Sequence, residues 1–302
     1  MLAALFGVFS GALMPVQTSV NTRLRRSVGS PLMASFFSFL VGTCALLVAT
    51  LITSGHLLPA LGLTAGQPWW IYTGGALGVV VLTGNILLFP RVGSVQTVIL
   101  PITGQIFMGL LIDAQGLLGS PQVGLGPLRV GGALAVLLGA AAVVGALRPG
   151  RRQAPRQPGI WLWRAFGVFM GMCSATQIAV NGRLGTILGS AVESALVSFS
   201  VGTATLLLLL LLTRTPWRGV EGGPWWMWLG GILGATVVFA TALLGPILGT
   251  GLTVVLMLLG MMTASLLIDT LGLIGGVRIR VGWTQLLGLG IIITGVALIR
   301  VV

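Results

Sequence analysis

The chain has no lysine, one histidine, two cysteines and only four acidic residues in 302. Each shortage excludes something. With His56 as the sole histidine, in a loop, a histidine-based metal or triad site is not available. Cys44 and Cys173 lie inside apolar runs without CxxC or other metal-ligand spacing, so both read as small core residues. No GxxxxGK[ST] loop occurs, which excludes ATP-driven transport within this chain. The first basic residue, Arg23, follows the first apolar run instead of preceding it, so that run reads as a retained helix and not a secretory signal. Four scattered acids also argue against an intramembrane enzyme, which needs acids, histidines or metal ligands gathered at one face. No catalysis, cofactor or metal is expected.

Charge of either sign is scarce. Charged residues make up 7% of the chain, against about a quarter in soluble proteins. Hydrophobic residues supply 56%, and the mean hydropathy is +1.07. Hydropathy of this kind over the whole length marks a bilayer protein. The net charge of +12 comes from arginines that punctuate apolar runs, as loop anchors do, so no nucleic-acid partner is expected.

A span needs about 20 apolar residues. Ten segments qualify: roughly 2–22, 31–53, 69–89, 93–112 and 129–147, then 164–182, 191–213, 225–245, 249–268 and 281–300. All nine tryptophans fall near predicted ends, where interfacial aromatics belong. Between the sets lies RPGRRQAPRQPG, too polar and proline-rich to span.

The two sets are copies. FGVFSGALMPVQTSVNTRL (6–24) returns as FGVFMGMCSATQIAVNGRL (166–184), SFLVGT (38–43) as SFSVGT (198–203), and PWW with GGALG (68–78) as PWW with GGILG (224–234). LLID (110–113) returns at 266–269 and RVGG (129–132) as RVGW (280–283). The expected fold is an all-α integral membrane protein of ten transmembrane helices: a first repeat over 1–147, a linker over 148–163, and a second repeat over 164–302. Because five is odd, the second copy is inverted. Thirteen arginines then fall on the face of the linker and three, Arg129, Arg183 and Arg300, on the other. The positive-inside rule puts the linker in the cytoplasm and both termini outside. Arginine-only, Gly/Ala/Leu-rich composition points to a GC-rich bacterial genome, hence a bacterial inner membrane. Inverted repeats of this type recur in transporters, with the site near the midplane between halves.

The Q-x3-N-x-R-L run, SF-x-VGT, PWW with GG-x-LG, GQ and LLID-x2-GL together resemble the YdcZ-like family of the drug/metabolite transporter superfamily, over nearly the full chain. The resemblance implies a ten-helix, EamA-like fold and export of small metabolites. This chain departs from the pattern twice. GQ is present as Gly104-Gln105 but becomes Gly260-Met261, and the LLID aspartates are followed by Ala114 and Thr270 where the family often has histidine.

Gln17 and Asn21 share a helical face with Ser10 and Met14, and Gln177 and Asn181 repeat this with Met170 and Ser174. Buried amides are costly against lipid, so these faces should point inward, either lining a substrate path or bonding between helices. Alternate exposure of the two clusters as the halves rock is the mechanism this symmetry suggests. Asn85, Gln96, Pro101 and Gln105 align with Thr241, Leu252, Met257 and Met261, so the third and fourth helices should supply most polar contacts. Pro101 can free carbonyls toward a cavity. Met257, Met261 and Met262 would form an adaptable apolar wall, or merely pack.

Glu193, the one glutamate within a span, is a candidate for ion coupling or, favoured, an ion pair with Arg183. Asp113 with Arg129 and Asp269 with Arg280 read as structural clasps on opposite faces, with gating the sharper alternative. The function expected is a secondary transporter or exporter of a small organic solute, as monomer or homodimer in a lipid bilayer. A lipid scramblase or non-transporting scaffold is the alternative.

Overall fold

The computed structural model describes residues 1–146, 159–216, 220–271 and 282–300. Every regular element among them is helical. In chain order these are α1 (Leu2–Val28), α2 (Pro31–Ser54), α3 (Gly74–Gln115), α4 (Pro127–Val143), α5 (Ile160–Leu188), α6 (Ala191–Leu212), α7 (Leu229–Leu248), α8 (Thr250–Leu271) and α9 (Trp283–Arg300). Among the described residues, seven helical segments are long and apolar enough to cross a membrane.

Helix ends follow local chemistry. Left-handed glycines at Gly29, Gly55, Gly116 and Gly189 stop α1, α2, α3 and α5. Ser190 Oγ accepts the Glu193 amide at the start of α6. Each PWW motif forms a 3-10 turn (Trp69–Tyr72 and Trp225–Trp228), so the third and eighth spans begin several residues later than hydropathy suggests. α1 extends to Val28, beyond its apolar run.

The spans expected at 69–89 and 93–112 are joined by unbroken helical bonding through Gly74–Gln115. Straight, 42 residues would measure about 63 Å, twice a hydrocarbon core. Contacts with α5 show that α3 folds back. Gly74, Gly78, Gly84 and Leu88 meet Asn181, Gln177, Met170 and Gly167 in turn, whereas Leu100, Pro101 and Gln105 meet Gly167, Gly171 and Ser174. The chain descends α5 and climbs it again, giving two arms and ten helical rods among the described residues. In the second copy the corresponding reversal is an open break at Gly249, φ 84° and ψ 157°, between α7 and α8. That backbone conformation belongs to glycine alone.

The copies interlock. The first helix of each repeat packs into the hairpin of the other: α5 against the two arms of α3, α1 against α7 and α8. Small residues make this possible, because lipid offers no hydrophobic drive and helices must gain contact by close approach. A Cβ at Gly171 would collide with the Pro101 carbonyl, and one at Gly11 with the Met257 carbonyl. The Pro101 carbonyl thus faces a glycine of α5, where the sequence suggested a cavity. α4 and α9 pair at the periphery through Gly132, Gly139, Gly288 and Gly295.

The bundle has two chemically distinct ends. Arg23, Arg25, Arg26, Arg91, Arg164 and Arg214 gather at the end that holds the α3 bend and the start of α5. Arg129, Arg183 and Arg300 lie at the other.

Candidate functional site

On α5 the residues Met170, Ser174, Gln177 and Asn181 form one stripe wedged between the arms of α3. The Asn181 amide oxygen stands where a Cβ of Gly74 would be, and the Gln177 amide nitrogen lies beside Gly78. The same geometry recurs across the pseudo-twofold. Asn21 Oδ1 fills the Cβ position of Gly230, and Gln17 Nε2 approaches Gly234. Neither Asn21 Oδ1 nor Asn181 Oδ1 has a hydrogen-bond partner. Each meets a glycine Cα–H, a weak substitute for an N–H. An unmatched buried oxygen costs about 1–3 kcal/mol, and this chain carries that cost at both symmetric positions.

The pseudo-twofold passes through the α2–α6 seam, where equivalent residues of the two repeats meet. Phe39 and Phe199 stack at 4.8 Å, each ring filling the notch of a glycine on the other helix, Gly202 and Gly42. One turn further, Thr43 and Thr203 share a 3.0 Å hydroxyl contact. Phe199 Cζ also flanks Gly234, next to Gln17. Sequence reasoning did not single out these four residues, although the repeated SF-x-VGT motif contains them.

The third and fourth spans place their polar residues unevenly. Gln105 Nε2 donates to Ser174 Oγ at 3.1 Å, inside the α3–α5 wedge. The symmetric positions are Met261 and Met14, so one copy has an amide–hydroxyl pair where the other has two thioethers. Gln96 accepts from Arg164 Nε at 3.0 Å, and Asn85 is exposed, so neither joins the α3–α5 contacts of Gln105 and Gln177. Met257 and Met262 are buried against neighbouring helices. Cys173 is buried, but Cys44 is exposed on α2 and is not a core residue.

Asp113 and Arg129 form a fully buried clamp. The carboxylate accepts from Arg129 Nη2 at 2.6 Å and from two backbone amides at the start of α8, Thr250 at 2.7 Å and Gly251 at 2.9 Å. These amides are unpaired by construction at a helix start, and the dipole favours an anion there. Arg129 Nη1 also donates to the Val123 carbonyl at 2.9 Å, and Ser120 Oγ meets Thr250 Oγ1 at 3.0 Å. The clamp joins the first repeat to the break in the second at the arginine-poor end. The side chain of Asp269, and Arg280 altogether, fall outside the described residues.

Glu193 does not pair with Arg183. Its carboxylate accepts from Ser54 Oγ and from the Ala60 amide, both at 3.0 Å, with His56 Nε2 at 3.9 Å. Arg183 instead lies along Gly119. The donors sit at the last residue of α2 and in the loop that follows it, so the carboxylate is satisfied without Arg183 of α5.

Comparison with known proteins decides the family. Residues 2–142 and 162–298 each match the family described as "Putative inner membrane exporter, YdcZ". The chain belongs to this family. Two successive matches also define the two repeats of this exporter-type chain. No curated protein matches it. A crystal structure described only as that of a protein is similar over 98% of this chain and 94% of its own, with TM-score 0.70 and 18% identity. At that identity the likeness speaks for the fold.

Proposed function

We propose that the chain exports a neutral or weakly cationic small organic solute by alternating access, with the linker end in the cytoplasm. The observation that carries this is the paired amide stripes. Gln17/Asn21 and Gln177/Asn181 occupy symmetric slots in the two hairpins, toward opposite ends of the bundle, with unspent hydrogen-bonding capacity. Separation of a hairpin from its wedged helix uncovers one stripe at a time to a solute. Gln105 and Ser174 add a polar contact in the first-repeat hairpin, and the methionines of the second give it an apolar face.

The pseudo-twofold also divides the contacts. Those that map onto themselves, Phe39–Phe199 and Thr43–Thr203, form the pivot kept in both states. The Asp113–Arg129–α8 clamp maps onto a different set of residues, so it closes one end only. Glu193 we assign to anchoring the loop after α2. Its replacement by Gln leaves proton dependence of transport unchanged; loss of proton dependence would return it to coupling.

A thermal-stabilisation screen of the purified protein against metabolites, followed by proteoliposome flux of the stabilising compounds, tests the proposal. We expect solute-dependent stabilisation and saturable flux. Lipid translocation with no solute effect would favour a scramblase instead.

A further inference from the structure

We propose that Arg91 and Arg164 bind the phosphate headgroups of anionic phospholipids at the arginine-rich end of the bundle. Sixteen arginines face four acids in this chain, so it cannot supply counter-ions for its own surface. The described ion pairs are Asp113–Arg129 and His56–Glu193, and neither involves this end. Arg91 and Arg164 are nonetheless fixed in place. The Arg91 guanidinium carbon lies 5.1 Å from the centroid of the Trp163 ring, and that of Arg164 lies 4.9 Å from Trp161. Arg164 is held further by its Nε–H bond to Gln96 Oε1.

Among the described contacts, one ring beneath each guanidinium and one amide at the edge of Arg164 leave its four terminal N–H groups and the five of Arg91 to an outside acceptor. Such forks match phosphate oxygens in bidentate pairs. Cation–π contact keeps both side chains ordered before any ligand arrives, which lowers the entropic cost of binding. The neighbourhood suits a lipid more than a free anion. Trp161 and Leu162 are 74% and 76% exposed beside the arginines, so an acyl chain can lie against apolar surface while its headgroup meets the guanidinium groups. Arg25 and Arg26 give the contrast: both are exposed at the same end, with no aromatic ring beneath them among the described contacts.

The test is native mass spectrometry of the intact chain in detergent, titrated with phosphatidylglycerol or phosphatidylcholine. The wild type should retain phosphatidylglycerol in preference to phosphatidylcholine. Arg91→Gln with Arg164→Gln should weaken phosphatidylglycerol retention by roughly tenfold or more, whereas Arg25→Gln with Arg26→Gln, which removes the same charge, should change it little. Arg164→Lys, which keeps the charge but not the fork, should be intermediate and guards against misfolding of the double variant. Equal loss in both double variants would mean diffuse attraction and overturn the site. Retention unchanged in the Arg91/Arg164 variant would overturn it too. Displacement of phosphatidylglycerol by millimolar inorganic phosphate would show a free-anion site and overturn the assignment to lipid.

Discussion

Asp113 bonds to three donors from two parts of the chain, and removing it leaves Arg129 and two helix-start amides buried together. Breaking a buried pair from one side costs about 3–5 kcal/mol. Asp113→Ala should therefore lower the melting temperature of the purified protein far more than Glu221→Ala, an acid outside the hydrophobic interior. Equal shifts would deny the clamp. Sequence pattern alone could pair Asp113 with Arg129, because both flank one short loop and recur together. It could not reveal the α8 amides, since backbone donors have no residue signature. Likewise the pattern pairs Glu193 with Arg183, whereas the Ser54 hydroxyl at the end of α2 and the Ala60 amide hold it.

At the scale of elements, the decisive residues are those without side chains. Each hairpin accepts its wedged helix because Gly74 and Gly78, or Gly230 and Gly234, leave room for an asparagine and a glutamine. A methyl group at Gly230 meets the Asn21 amide, so Gly230→Ala should destabilise by about 1–3 kcal/mol. Adding Asn21→Ala should restore part of this, with a coupling of about 0.5–3 kcal/mol in a double-mutant cycle. Additive losses would mean that the two groups do not touch in solution. The helix count and the repeats were legible in the sequence, because apolar length and recurring motifs are local signals. The α3 fold-back was legible only as two spans. Which copy packs on which was not, because an intertwined and a side-by-side arrangement share the same periodicity.

At the scale of the molecule, the proposed cycle keeps the α2–α6 seam and exchanges the closure at the ends. Cysteines at Thr43 and Thr203, whose hydroxyls are 3.0 Å apart, should cross-link without arresting the switch, since that contact maps onto itself. Cysteines at Ser120 and Thr250, also 3.0 Å apart, should lock the arginine-poor end closed. In the orientation proposed above, the locked end faces outward. The Ser120/Thr250 lock thus gives the most direct test of alternating access. In a background lacking Cys44 and Cys173, Gln17→Cys or Gln177→Cys is labelled in vesicles with a membrane-impermeant maleimide, before and after reduction of the lock. Alternating access predicts that the oxidised lock leaves Gln17→Cys reactive from the linker side and protects Gln177→Cys from the opposite side, and that reduction restores the second. Parallel responses at the two positions would contradict it.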